Sequence, residues 1–320
     1  MNNFLRRFVL FIICFNVVFF TTLIVSSLMA KRKNNFRIKN DSKYILMGHS
    51  HSECAYNDHL IKNLENFSHS GESYFYTLPK VVQLVEYNPN IKTVFIEFTN
   101  NQITQEIKNW IIGKKYLNYY YPTYFPYLDF TDHFCLMKKA PMDYLKNIPV
   151  LFKDLIKNSF QLRKVPYVYG GYKPVKGELM EYKKKKNKNH DAENFVSINP
   201  GISVIQINFL TEIIEFLKSK NIQIILIRSP QHISYEGFKN ENDFNKVLKD
   251  VFSDVFFIDL VNFPLLQDEY RDPEHVNKKG SEKISIWLNS LILNNIFNIF
   301  KNKNHLNYQD IEDIKQKRKT

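Results

Sequence analysis

Residues 43–52 read KYILMGHSHS, a short apolar run that ends in a polar turn. A continuous apolar run closed by a glycine such as Gly48 is typical of a buried β-strand. Runs of the same kind follow at residues 92–98 (KTVFIEF), 222–227 (IQIILI) and 255–260 (VFFIDL). Strands that are buried on both faces read as continuous apolar runs, so these segments predict a parallel sheet covered by helices.

The segments between these runs have helical periodicity. Helices are predicted at residues 74–87, 202–220, 241–252 and 277–299. Because strands and helices alternate, the sequence predicts an α/β domain with three layers, α/β/α, around a central parallel sheet. Residues 102–199 interrupt this alternation and are rich in Tyr, Phe, Pro and Lys. We interpret them as an insertion, or a lid over the sheet, rather than a second domain.

Residues 8–30 (FVLFIICFNVVFFTTLIVSSLMA) contain no charged side chain and are long enough to cross a bilayer as a helix. A cleaved signal peptide is the alternative, but its apolar region is shorter, and Leu28 stands where a small residue is wanted. We therefore predict a membrane anchor at residues 1–30, an α/β domain at 31–301 and a polar basic tail at 302–320. The basic residues at 31–39 outnumber Arg6 and Arg7, which on charge alone favours a cytoplasmic domain.

The net charge of +12 resides largely in short runs at residues 31–33, 183–186 and 315–319. Such runs are typical of solvated loops and membrane flanks. The lysines are not interleaved with aromatic residues on a recognisable module, so nucleic acid is not expected as a partner.

Cofactor motifs are missing from the sequence. It has no Gly-rich phosphate-binding motif, which argues against a nucleotide cofactor. The three cysteines, and the set His49, His51 and His232, lack the spacing of a metal site. We therefore expect no metal and no cofactor.

Ser50, Asp272 and His275 are the candidate catalytic residues. Ligands of an open parallel sheet bind beyond the carboxyl ends of its strands, and Ser50 lies where the first strand ends. A serine hydroxyl becomes a nucleophile when a histidine, oriented by a carboxylate, removes its proton. Asp272 and His275 are three residues apart across one turn before the last helix, a spacing that predicts neighbouring side chains.

Other polar residues follow the remaining strands. The backbone N–H of Gly71 and the side chain of Asn100 suit an oxyanion hole, and the Ser50 N–H is a further donor. His51, Arg228 and His232 are candidates for substrate binding. His51 fits a packing role as well, and Arg228 with His232 fits a loop anchored by a neighbouring Ser-Pro pair.

This block order, with Ser50, Gly71, Asn100 and then Asp-x-x-His, resembles the SGNH or GDSL-like hydrolase superfamily. The resemblance covers about residues 43–101 and 202–299. It implies a flavodoxin-like sheet, with Ser50 as nucleophile, His275 as base, Asp272 as its orienting partner, and Gly71 and Asn100 as oxyanion donors. Two features depart from the family: His49 replaces its usual Asp, and Thr99-Asn100-Asn101 replaces Gly-x-Asn-Asp. The second departure leaves Asn100 and Asn101 as alternatives.

An N-terminal membrane helix before such a domain is similar to the extracytoplasmic SGNH-like proteins that O-acetylate surface polysaccharides, such as the alginate acetylation proteins. That likeness implies a periplasmic or extracytoplasmic domain, a polysaccharide acceptor, and a multi-pass membrane acyltransferase as acyl donor. A carbohydrate esterase or deacetylase would use the same acyl-serine intermediate. A catalytically silent, membrane-anchored glycan-binding or scaffold protein is the alternative from another class.

Overall fold

The computed structural model of the protein describes residues 3–33, 36–39, 41–160, 169–182, 201–298 and 305–317. The chain divides into two compact units. One comprises Met1–Phe36 and Asn109–Val168, and the other comprises Arg37–Lys108 and Tyr169–Thr320. The sheet and all candidate site residues belong to the second unit, which we call the sheet unit; we call the first the anchor unit.

The sheet unit contains six strands. They are β1 (Tyr44–Met47), β2 (Leu64–Asn66), β3 (Thr93–Glu97), β4 (Gln223–Arg228), β5 (Phe256–Asp259) and β6 (His305–Asn307). The sheet order is β2-β1-β3-β4-β5-β6, and every neighbouring pair is parallel. The predicted α/β class with a parallel sheet is therefore confirmed.

The helices of both units are numbered along the chain. They are α1 (Asn3–Lys33), α2 (Ser50–Ala55), α3 (Tyr74–Tyr87), α4 (Asn109–Ile112), α5 (Lys114–Tyr124), α6 (Phe130–Lys139), α7 (Pro141–Ser159), α8 (Val204–Ser219), α9 (Glu241–Val251), α10 (Lys278–Leu293) and α11 (Tyr308–Lys317). The predicted helices at 74–87, 202–220, 241–252 and 277–299 correspond to α3, α8, α9 and α10. Helix α10 ends at Leu293, six residues before the end that the apolar pattern predicted.

Successive strand side chains point to opposite faces of the sheet, and both faces are buried. Ile258 of β5 packs in a core cluster with Ile284 and Leu288 of α10. The preceding residue, Phe257, packs instead against Phe244 of α9, with ring centroids 5.9 Å apart. Burying an apolar side chain of this size stabilises the fold by about 1.5–3 kcal/mol.

The topology explains where a ligand would bind. From β1 the chain proceeds outward to β2, whereas β3 lies on the other side of β1, so the strand order reverses between β1 and β3. In doubly wound sheets the crevice beyond the carboxyl ends of the strands at such a reversal is the ligand site. Ser50 begins α2 shortly after β1 ends and therefore lies at this crevice.

The segment predicted as an insertion at 102–199 is divided between the two units. Residues 102–108 and 169–182 belong to the sheet unit, whereas α4 to α7 form a compact unit with α1. Residues 161–168 and 183–199 lie outside the described residues.

The tail predicted at 302–320 contains regular structure. Residues 305–317 form β6, which pairs with β5, and then α11. Leu306 and Ile311 are buried and dock this segment in the core cluster of the sheet unit. The polar composition of the tail gave no sign of either element, because β6 and α11 each contribute a single deeply buried apolar residue to the core.

Helix α1 carries the apolar segment recognised in the sequence. Among the residues that the structure describes, it is the one helix long and apolar enough to cross a membrane, judged by length and composition. Residues 3–18 are exposed throughout, whereas several residues from Phe19 onward are covered by the rest of the anchor unit.

Candidate active site

Ser50, His275 and Asp272 form a continuous hydrogen-bonded chain. The Oγ of Ser50 lies 2.9 Å from Nε2 of His275, and Nδ1 of His275 lies 2.9 Å from Oδ1 of Asp272. With the Nδ1 proton donated to the carboxylate, Nε2 is the acceptor for the serine hydroxyl. This is the arrangement that a serine nucleophile requires.

A short turn in the segment between β5 and α10 positions Asp272 and His275. Asp272 Oδ1 also accepts from the backbone N–H groups of Glu274 and His275, each at 2.9 Å. The Asn277 side chain caps α10 by accepting from the backbone N–H of Lys279 at 2.9 Å. The three-residue spacing therefore brings Asp272 and His275 side by side, with the turn fixed at the start of α10.

Asp272 remains ionised at neutral pH. Burial raises the pKa of its carboxyl, but the hydrogen bond and charge of His275 and the two backbone N–H groups outweigh burial, so the pKa lies below its ordinary value of 3.8. A carboxylate in this state stabilises the imidazolium that forms when His275 takes a proton.

His49 touches the nucleophile from the other side. Its Nδ1 lies 3.4 Å from Ser50 Oγ, and its Nε2 lies 3.2 Å from Thr99 Oγ1. Burial, followed by the neighbouring His51 and His275, holds the pKa of His49 well below 6.5, so the ring is neutral. A neutral imidazole thus lies beside the Ser50 hydroxyl.

Glu97 lies buried at the end of β3, beneath the turn that carries Ser50. Its Oε2 accepts from the backbone N–H groups of His49 at 2.9 Å and Ser52 at 3.3 Å, and its Oε1 accepts from Ser229 Oγ at 3.1 Å. Burial raises the pKa of this carboxyl to about 7, although the hydrogen bonds lower it. Sequence reasoning missed Glu97; the available signal was one acidic residue at the end of the apolar run KTVFIEF.

Gly48 permits this close approach. A Cβ at position 48 would lie 2.5 Å from Oε2 and 2.6 Å from Cβ of Glu97. Any side chain there would displace the carboxylate that holds the Ser50 turn. Gly48 is therefore required by packing as well as by turn formation.

Gly71 lies in a tight turn after β2. The turn closes with a 3.0 Å hydrogen bond from the Glu72 N–H to the His69 carbonyl, and Gly71 has a φ of 78°, which favours glycine. The buried ammonium of Lys80 pairs with Glu72 and fixes the turn to α3. Within the described residues the Gly71 N–H has no hydrogen-bond acceptor, so this donor is available to a ligand.

Asn100 and Asn101 differ in what their side chains contact. Asn100 is fully buried; its amide donates to Glu241 at 2.6 Å and its carbonyl accepts from Arg228 at 3.1 Å. Asn101 is partly exposed and accepts at 2.6 Å from Thr99 Oγ1, the hydroxyl that also contacts Nε2 of His49. The amide of Asn100 is thus committed to an ion-pair network, while Asn101 adjoins the ring that touches Ser50.

Arg228 also belongs to that network. Its guanidinium, 3% exposed, hydrogen-bonds to both carboxylate oxygens of Asp259 and to Glu241, and stacks over Phe244 at 4.5 Å. These contacts use its donors and neutralise its charge. The charge of Arg228 is thus paired with carboxylates, and its side chain also lines the cleft that His232 borders.

His51 and His232 flank the site differently. His51 is buried beside His275, with ring centroids 5.4 Å apart, and its Nδ1 accepts from Gln231 at 2.7 Å. His232 is partly exposed; its backbone N–H donates to the Pro273 carbonyl at 3.0 Å, next to Asp272. It lines a cleft of about 480 Å³ together with Gln231 and Tyr270. The cleft therefore borders the turn that carries the acid and the base.

Two sets of side chains in this region have metal-binding donor types. The ligand atoms of His49, His51 and Glu97, and likewise those of His51, Glu274 and His275, lie within 4.8 Å of one another. In the first set each residue already makes hydrogen bonds, to Thr99, Gln231 and backbone amides respectively. In the second, both ring nitrogens of His275 are engaged by Ser50 and Asp272. Nε2 of His51, which belongs to both sets, has no hydrogen-bond partner among the described residues.

Part of the chain matches a known family. The model of an uncharacterised family matches residues 174–298, a segment that includes β4, β5, α10, Asp272 and His275 but not Ser50. No curated protein matches the chain.

Proposed function

We propose that the protein is a membrane-anchored acyl-serine enzyme that transfers acetyl groups to a cell-surface polysaccharide. The observation that carries the proposal is the hydrogen-bonded chain from Ser50 Oγ through His275 to Asp272, with both links at 2.9 Å. The carbohydrate acceptor and the acetyl group rest on the resemblance to polysaccharide O-acetyltransferases.

In the acylation step Ser50 Oγ attacks the carbonyl carbon of the acyl donor while Nε2 of His275 takes the serine proton. Asp272 stabilises the resulting imidazolium through the bond at Nδ1. The tetrahedral intermediate collapses, the donor's leaving oxygen receives the proton from His275, and the acyl group remains on Ser50. The base then returns to its neutral form.

The oxyanion of that intermediate needs donors already in place. We assign this role to the backbone N–H groups of Ser50 and Gly71 and to a side-chain amide from the third block. Asn101 suits this last role better than Asn100, because the Asn100 amide donates to Glu241. Neither the Ser50 nor the Gly71 N–H has an acceptor in the part of the chain that the structure describes.

Deacylation decides between transfer and hydrolysis. A sugar hydroxyl, or water in an esterase, loses its proton to His275 and attacks the acyl carbon, and Ser50 leaves with that proton. The cleft beside Tyr270 and His232 is a suitable place for an acceptor sugar, since it borders the turn of the base.

The same proposal extends to architecture and location. A three-layer α/β/α arrangement is supported by α9 packing on Phe257 and α10 packing near Ile258, which face opposite sides of the sheet. We propose that α1 is an uncleaved anchor, that the sheet unit is extracytoplasmic, and that a multi-pass membrane acyltransferase supplies acyl groups. The length and apolar composition of α1 support the anchor.

A partition experiment tests the transfer. The full chain in detergent would be given an activated acetyl ester with and without an acetyl-free surface polysaccharide, and acetate release and polymer acetylation would be measured. A transferase acetylates the polymer and releases less acetate when polymer is present. An esterase releases acetate at the same rate in both, and a silent binding protein turns over no ester.

A further inference from the structure

The anchor unit has an apolar stripe on its surface that its own core does not explain. Phe130, Phe134 and Met137 recur along one side of α6, and Met142 and Leu145 continue the pattern at the start of α7. All five are exposed, Phe130 by 82% and Met142 by 62%. We call these five residues the apolar stripe.

Several polar side chains in the interior of the anchor unit are hydrogen-bonded to one another. The Tyr121 hydroxyl hydrogen-bonds to Nδ1 of His133 at 2.9 Å and to the Tyr144 hydroxyl at 3.0 Å. Asn147, which is buried, donates to the side chain of Asn118. Large apolar side chains exposed along one side, with polar groups paired in the interior, suit an apolar surrounding on that side of the unit.

The anchor unit also ties α7 to the apolar helix α1. The rings of Phe19 and Phe152 stack, with centroids 5.6 Å apart and planes 9° from parallel. Near the end of α1, Lys31 lies over the Tyr127 ring, and Phe36 packs against the same ring at 5.3 Å. The other helices of the anchor unit therefore pack against the C-terminal half of α1 and leave residues 3–18 uncovered.

Helix geometry sets the depth of this contact. Arg6 and Arg7 fix the charged end of the apolar segment, and about 20 residues of helix span a hydrocarbon core of about 30 Å. Phe19 is then about 17 Å along the helix from Phe8, at about 1.5 Å per residue, which lies inside that layer. The side chain of α7 that stacks on Phe19 must lie at membrane depth as well.

We infer that the apolar stripe is a lipid-contacting surface, which places α6 and the first turns of α7 against the bilayer beside α1. Exposed lysines border the stripe at Lys138 and Lys146, and their long stems can carry the charges to the headgroups. The segment read from the sequence as an insertion would then be a second membrane contact. This inference rests on α1 crossing the membrane, and not on the chemistry of Ser50.

Spin-label accessibility in the full chain tests it. The protein would be reconstituted in phosphatidylcholine nanodiscs after Cys14→Ser and Cys135→Ser, with the buried Cys54 retained; burial raises the pKa of that thiol to about 12, so it resists labelling. A nitroxide would be placed by Phe134→Cys on the stripe and, as the matched control, by Lys139→Cys. Lys139 is also exposed and lies on the opposite side of α6, because five residues correspond to about 500° of helix rotation.

Relaxation enhancement by oxygen, which concentrates in lipid, would be compared with that by a water-soluble nickel chelate. We expect the oxygen-to-nickel ratio to be several-fold higher at position 134 than at position 139. Equal ratios would overturn the inference, and protection of position 134 from both agents would overturn it in favour of a protein partner. Met142→Cys provides a second stripe position should the first variant fold poorly.

Discussion

The carboxylate of Glu97 accepts a 2.9 Å hydrogen bond from the backbone N–H of His49, the residue immediately before Ser50. Both side chains are completely buried. An acidic group in such a place is costly when charged and is tolerated because the backbone and Ser229 supply donors. Glu97 thus links the sheet directly to the turn that carries the nucleophile.

Replacing this carboxyl should change how stability depends on pH. The folded pKa of Glu97 is raised to about 7 from 4.5, so the folded protein holds the proton that the unfolded chain releases. This contribution to stability is complete below pH 4.5 and is lost as the pH rises to 7. Glu97→Gln keeps the acceptor oxygen without the titration, so between those pH values it should gain about 3 kcal/mol relative to the wild type.

Denaturant unfolding of both proteins from pH 4 to 8 would measure this gain. Glu86→Gln, at an exposed position of α3, is the matched control and should follow the wild type. If the Glu97→Gln and wild-type stabilities run parallel across the range, the carboxyl does not titrate in the folded protein as stated.

Asp272→Asn should reduce acyl transfer by roughly 10³–10⁴-fold while leaving the fold intact, because an amide cannot hold His275 in the required tautomer or stabilise its cation. The initial rate of ester turnover measures the loss, and circular dichroism checks the fold. Asp250→Asn, at an exposed carboxylate of α9, should keep full activity. A mutant at Asp272 with an unchanged rate would mean that another group orients the base.

The two asparagines of the third block should separate catalysis from stability. Asn101→Ala is expected to lower the rate by about 10²–10³-fold, the usual effect of losing one oxyanion donor, with little change in unfolding free energy. Asn100→Ala should lower stability by about 1–3 kcal/mol, because it leaves the buried Arg228 and the partly exposed Glu241 with unmet hydrogen bonds. Steady-state kinetics and denaturant unfolding of both variants test the assignment, which the reverse pattern would contradict.

Removing residues 1–18 should convert the protein from an integral to a peripheral membrane protein. The deletion takes away the uncovered half of α1 but keeps Phe19 and its stacking partner Phe152. The full chain should stay in the membrane pellet after alkaline carbonate washing, and the truncated chain should be released. Retention of the truncated chain under that wash would show that residues 1–18 are not what holds the protein in the membrane.

The sequence predicted those parts of the fold that local pattern determines. The apolar runs correspond to β1, β3, β4 and β5, and the turn spacing brings Asp272 and His275 together. β2 and β6 have three residues each, too few for a periodic signal, and their place in the sheet depends on pairing with β1 and β5.

The remaining site residues could not be read from the sequence because burial and partners are tertiary properties. Nothing local to Glu97 indicates that its carboxylate meets the backbone of His49, 48 residues away. Nor does the sequence reveal that Arg228 donates to the Asn100 side chain, which places that side chain in an ion-pair network. Both relations depend on how neighbouring strands of the sheet align.

The most direct test of the account is intact-protein mass spectrometry of the full chain during turnover of p-nitrophenyl acetate, with Ser50→Ala beside the wild type. The account predicts one added acetyl group on the wild type, mapped by peptide analysis to Ser50, and neither adduct nor turnover above background in Ser50→Ala. Turnover that persists in Ser50→Ala, or an acetyl group mapped to another residue, would contradict the assignment of Ser50 as the nucleophile.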